Sequence, residues 1–155
     1  HCPMPNPLKE LLLGRGWAGK TITRADTVDL LNPLIEQQVH INHHYEALLR
    51  SNPGDDVAAL VRDLQKTARA DVGKLSEVVL SAGGVAYNGT DLEPSDFDTD
   101  ASVTDQIAQI REMEETFRDA IAQQLDEIEH QMRTRGVLQV VQSNTEDRLS
   151  SIRRV

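Results

Sequence analysis

Aromatic residues make up only 3% of this chain, so there is no row of rings on which unpaired bases could stack. Cations are in the minority: 16 Lys and Arg stand against 25 Asp and Glu, for a formal net charge of -9. A nucleic-acid binder neutralises phosphates with clustered Lys and Arg. The one basic cluster here, Arg148, Arg153 and Arg154, lies at a C-terminus, where cations complement a helix dipole. No nucleic-acid partner is expected. Cys2 is the only cysteine, so no intramolecular disulfide can form, which suits a reducing, cytoplasmic setting. No run of about 18 apolar residues occurs, so no membrane span is expected. The start at His1-Cys2-Pro3 is that expected of a fragment or a processed form, and no secretory signal is visible.

What is present is helical periodicity. Val28, Leu31, Leu34, Ile35, Ile41, Tyr45, Leu48 and Leu49 recur at intervals of three and four, predicting a helix from about Asp26 to Ser51, capped by Asp26 or Thr27 and ended by Asn52-Pro53-Gly54. Val57, Leu60, Val61, Leu64, Ala68, Val72, Leu75 and Val79 predict a second, from Asp55 to Ala82, stopped by Gly83-Gly84. Residues 85–101 are rich in Gly, Asp, Pro and Ser and lack a period, which reads as a long crossover loop. Asn88-Gly89-Thr90 within it matches a glycosylation sequon and reads as a turn. The third helix is predicted from Ser102 to Leu125, with Val103, Ile107, Ile110, Met113, Phe117 and Ile121 inward. The fourth is predicted from Ile128 to Arg153, with Met132, Val137, Val140, Val141 and Ile152 inward. Length matching puts a tight turn near Asp126, with Gly136 inside the last helix. The competing reading is one helix broken at Gly136.

Residues 1–24 read as an N-terminal arm or linker and residues 25–155 as one all-α domain. Within the arm, Gly14 to Thr21 satisfies G-x-x-x-x-G-K-[ST]. A phosphate loop needs a preceding strand, and a helix beginning at the Lys-Thr pair. Here the next periodic segment starts near Asp26, so the stretch reads as a glycine-rich lead-in. No nucleophile, base and orienting group form a recognisable set.

His40, His43 and His44 lie close together, one turn after Glu36. Glu36, His40 and His43 share a helix face, a spacing that suits a metal site. On a wheel turning about 100° per residue they lie opposite Leu31, Leu34, Ile35 and Tyr45. The cluster is therefore expected on the outer face or in a subunit interface.

Asn32 to Tyr45 resembles the first helix of ferritin-like proteins, Lys74 to Gly84 is similar to the end of their second, and Asp147 to Ile152 to the end of their fourth. The resemblance spans about residues 26–153 and implies a ferritin-like four-helix bundle with a long crossover between helices 2 and 3. Active members place a Glu on helices 1 and 3 and Glu-x-x-His on helices 2 and 4. Carried over, these positions fall on Gln37 or Gln38, on Ala68-x-x-Asp71, on Glu114 and on Thr145-x-x-Arg148. Arg148 cannot ligate a metal. The helical wheels independently put Gln38, Asp71, Glu114 and Arg148 on or beside the inward stripes. They are expected to form a buried polar network in which Arg148 stands in the metal's electrostatic place. Its charge of -1 would be relieved by a shared proton. A register shifted by one residue would instead make them surface residues.

The reading is a non-catalytic structural or interaction domain that has lost its dimetal site, linked by family context to stress or metal homeostasis. No cofactor is expected, and the expected partner is a second copy or a fused or partner domain. The alternative is a metal-binding oxidoreductase or iron-binding protein using iron or another divalent metal, held by Glu114, Asp71, Glu36, His40 and His43.

Overall fold

In the computed structural model, which describes residues 23–128 and 131–155, Thr23 opens the first helix. The Asp26 amide donates to its hydroxyl at 3.1 Å, and its own amide donates to the Asp26 carboxylate at 3.0 Å. Two amides that the helix leaves without partners are thereby satisfied. These bonds, the backbone amide of Thr23 foremost, hold the Asp26 carboxyl below its ordinary range. The expected cap at Asp26 or Thr27 is thus corrected to Thr23, and the boundary expected after residue 24 falls inside the helix. The glycine-rich stretch 14–21, Cys2 and the rest of the expected arm up to residue 22 lie outside the described residues.

The helices are α1 (Arg24–Arg50), α2 (Asp55–Ser81), α3 (Val103–Glu127) and α4 (Met132–Ile152), with a short 3-10 turn at Pro94–Phe97. No strand occurs among the described residues. Helix α1 packs on α2 and α3, and α4 packs on the same two, so α1 and α4 stand on one diagonal of a four-helix bundle. Leu31, Ile35, Leu75, Phe117, Ile121, Leu138 and Val141 are wholly buried between them. Each such side chain contributes about 1.5–3 kcal/mol of apolar burial.

Helix α2 ends as its glycines predict. Gly83 has φ +83; its amide reaches Leu80 O and the Gly84 amide reaches Val79 O, both at 3.0 Å. That pairing closes the last turn. Gly84 is needed for a second reason: a Cβ there would lie 2.3 Å from Val28 Cγ2.

Past α2 the chain lies along α1. The Asn32 amide donates to Val85 O and accepts from Tyr87 N, each at 2.9 Å. Toward the other end of α1, Arg50 reaches Pro94 O at 3.1 Å and Asp98 Oδ1 at 2.6 Å. Asn88 Oδ1 accepts from the Thr90 amide and hydroxyl, so the sequon forms a closed turn. Ser51, just beyond α1, bonds Gln106 in the first turns of α3, so α1 and α3 run antiparallel.

The junction of α3 and α4 differs from expectation. Helix α3 runs through Asp126 to Glu127, Ile128 caps it in extended conformation, and α4 starts at Met132. Ile128 is wholly buried, which holds this corner against the core. Arg135, one turn into α4, donates through Nη1 to Leu125 O and Ile128 O, supplying donors to the exposed end of α3. Gly136 lies inside α4, so the reading with a break at Gly136 is set aside. Met132 and Val140, expected inward, are 74% and 45% exposed. Thr134, Leu138, Thr145, Arg148 and Leu149 take the inward positions beside Val141 and Ile152.

Candidate functional site

Each helix contributes to one polar cluster at the centre of the bundle. Gln38 and Tyr45 come from α1, Asp71 from α2, Glu114 from α3, and Thr145 and Arg148 from α4. All sit on the inward stripes, so the periodicity that buries the leucines buries these side chains too. Gln38, Asp71, Glu114 and Thr145 are 0% exposed and Arg148 is 2%.

Arg148 is the hub. Its Nε donates to Glu114 Oε2 at 2.6 Å, and its Nη2 to Glu114 Oε1 at 3.3 Å. Its Nη1 donates to Asp71 Oδ2 at 2.7 Å. Its Nη2 also reaches Gln38 Oε1 at 2.9 Å and Thr145 Oγ1 at 3.0 Å. The acceptors are themselves occupied: Tyr45 donates to Glu114 Oε2 at 2.7 Å, Asn144 to Asp71 Oδ1 at 2.9 Å, and Thr145 to Val141 O at 2.7 Å. A buried polar network is tolerable only when its members are satisfied in this way.

Burial alone would weaken the guanidinium's hold on its proton, but Glu114 and Asp71 outweigh it and raise Arg148 above its ordinary value. Burial, and then the Glu114 carboxylate, push the Tyr45 phenol well above its ordinary value, so it stays a donor. Lys74 Nζ stands 3.8 Å from Asp71 Oδ1 with its side chain 41% exposed. This second cation, absent from the sequence reading, brings the formal charge of the cluster to zero.

The structure therefore joins Gln38, Asp71, Glu114 and Arg148, and selects Gln38 over Gln37, which lines a groove between α1 and α3. Tyr45, Asn144 and Thr145 complete the cluster. Tyr45 falls seven residues after Gln38 on the same stripe, a spacing that marks it as a neighbour, although its ring reads first as core.

The residues that the ferritin-like resemblance would put at ligand positions do not fit a metal pair. A guanidinium has no lone pair to offer, and it already occupies both carboxylates. Ala68, where the resemblance would put a ligand Glu, is wholly buried with no polar atom to give. Among the described residues no three His, Cys, Asp or Glu side chains converge on a point that could hold a metal ion.

The histidines lie elsewhere, on the face of α1 that the chain after α2 covers. Phe97 sits among them: its ring stacks on His43 at 4.7 Å and 9°, and meets His44 at 5.2 Å and His40 at 5.9 Å edge to face. The cluster lies off the core of the bundle and packs under the chain's own 3-10 turn. Glu36 is exposed. Burial, and then the charge of His40, lower the affinity of both His43 and His44 for protons. The sign follows from linkage. Below the ordinary histidine value of 6.5, the unfolded chain binds more protons than the folded one, so stability falls as pH falls. The melting temperature is expected to drop by several degrees between pH 7.5 and 5.5. Most of that drop should vanish in the His43→Gln/His44→Gln double variant; an unchanged drop would place its origin elsewhere.

Comparison with protein-family models, curated proteins and solved structures found no match for this chain.

Proposed function

We propose that this chain is a non-catalytic, ferritin-like bundle in which Arg148 stands where active members hold a metal pair, and that it acts as a structural or interaction module. One observation carries the reading: a single guanidinium, bonded to Glu114, Asp71 and Gln38, fills the point on which those former ligand positions converge. The connectivity supports it. Helix α2 leads to its diagonal neighbour α3 through a segment that runs along α1 from Asn32 to Arg50, as the crossover of a ferritin-like bundle does. Exposed Leu80 on α2, with Met132 and Val140 on α4, favours pairing with a second copy or a partner domain over an isolated bundle.

Elemental mass spectrometry on tag-free protein, purified without chelators, tests the reading. Metal near zero is expected in both the wild type and Glu114→Ala. About two iron or manganese ions per chain, lost in Glu114→Ala, would make this a working dimetal protein and end the proposal.

A further inference from the structure

At the end of the bundle where α1 and α4 begin and α2 ends, a cleft of about 160 Å³ is lined by Arg24 and Thr27 of α1, Ser81 of α2, and Arg133 and Thr134 of α4. That is room for about five waters, or for a compact tetrahedral ion. The cleft has a sign opposite to that of the molecule. Neither Arg24 nor Arg133 has a carboxylate partner among the described residues, although the chain carries 25 acids. Arg133 is instead steadied by Ser81, whose hydroxyl lies 3.4 Å from its Nη2. The nearest acid in sequence, Asp26, is turned to the Thr23 amide at 3.0 Å.

Thr134 adds a hydrogen-bonding group. It is 4% exposed and lines the cleft, yet its hydroxyl makes no hydrogen bond among the described residues. Thr145 in the same helix returns its hydroxyl to Val141 O at 2.7 Å, the usual resort of a buried helical threonine. The hydroxyl is open to the cleft, where a bound anion can accept a hydrogen bond from it. The first turn of α4 contains no acid, so the positive end of its dipole adds to the two guanidinium charges.

We infer that this cleft binds a compact oxyanion of the phosphate type, held by Arg24 and Arg133 and hydrogen-bonded by Thr134. The inference stands apart from the reading of the central cluster, because no residue is shared. A bound anion would tie the beginnings of α1 and α4 to the end of α2.

The test is a titration of the full chain with inorganic phosphate at constant ionic strength, followed by backbone amide chemical shifts, with chloride as the control. Saturable shifts are expected at Thr27, Arg133 and Thr134, with a dissociation constant of about 1 mM. Arg133→Gln and the near-isosteric Thr134→Val should each weaken binding about tenfold. Thr134→Val is expected to keep the fold and so carries the test if Arg133→Gln does not. A parallel titration with glycerol phosphate identifies the source: tighter binding of the monoester points to a phosphorylated small molecule, and equal or weaker binding to the free ion. Shifts that fail to saturate, that chloride reproduces, or that survive in Thr134→Val at wild-type affinity would overturn the assignment.

Discussion

Arg148→Met is expected to destabilise the protein by about 3–5 kcal/mol, because it leaves two carboxylates buried without a cation. Asp71 and Glu114 are wholly enclosed, and Lys74, 3.8 Å from Asp71 and partly in solvent, compensates only one of them. The urea midpoint should fall accordingly, and the melting temperature by on the order of 10 °C or more. Acid should soften the loss, since carboxyl groups buried without a cation take up protons. Removing the charges together gives a different outcome. The triple variant Asp71→Leu/Glu114→Leu/Arg148→Met should recover much of the lost stability, since buried ion pairs are often replaceable by apolar groups of similar volume. Recovery will be incomplete while Tyr45 and Gln38 keep polar atoms whose partners are gone; adding Tyr45→Phe should restore more. A triple variant no more stable than Arg148→Met would mean that the network contributes far more than charge compensation.

Phe117→Ala should cost a similar amount, about 3–5 kcal/mol, for an unrelated reason. Phe117 is wholly buried in the apolar core, one turn beyond Glu114 on α3. Truncation leaves a cavity that its neighbours, held in a close-packed bundle, cannot fill. No ionisable group is stranded, so the loss should be the same at pH 5 and pH 8 in urea titrations read by circular dichroism. That contrast separates the two variants even where their midpoints coincide. Glu114 and Phe117 are near neighbours, so Phe117→Ala and Arg148→Met should not combine additively.

The legibility of this fold in its sequence tracks how apolar each inward stripe is. Helices α1 and α2 carry Leu, Ile and Val at most inward positions, interrupted chiefly by Gln38 in α1 and by Gln65 and Asp71 in α2, and their inward faces follow from periodicity. The wheels also name Gln38, Asp71, Glu114 and Arg148, because each falls on or beside such a stripe. Helix α4 reads poorly because its inward face holds Thr134, Thr145 and Arg148; a scan for hydrophobicity turns instead to Met132 and Val140, which face solvent. The cap at Thr23 is written in the pattern Thr23-Arg24-Ala25-Asp26, a capping box with Asp in place of Glu. The surroundings of the histidines are not written locally. Phe97 lies in a segment without a period, and its contact with His43 joins residues far apart in the chain. No helical wheel carries that information.

The central cluster also bears on motion. Apolar helix interfaces allow neighbouring rods some freedom to slide or rotate, because one leucine can replace another at small cost. Arg148 removes that freedom here, since its guanidinium is bonded to α1, α2 and α3 at once. Sliding α4 by one turn, about 5.4 Å, would break every one of those bonds and leave the carboxylates in an apolar layer. The helices can part together or stay together, but none can move alone.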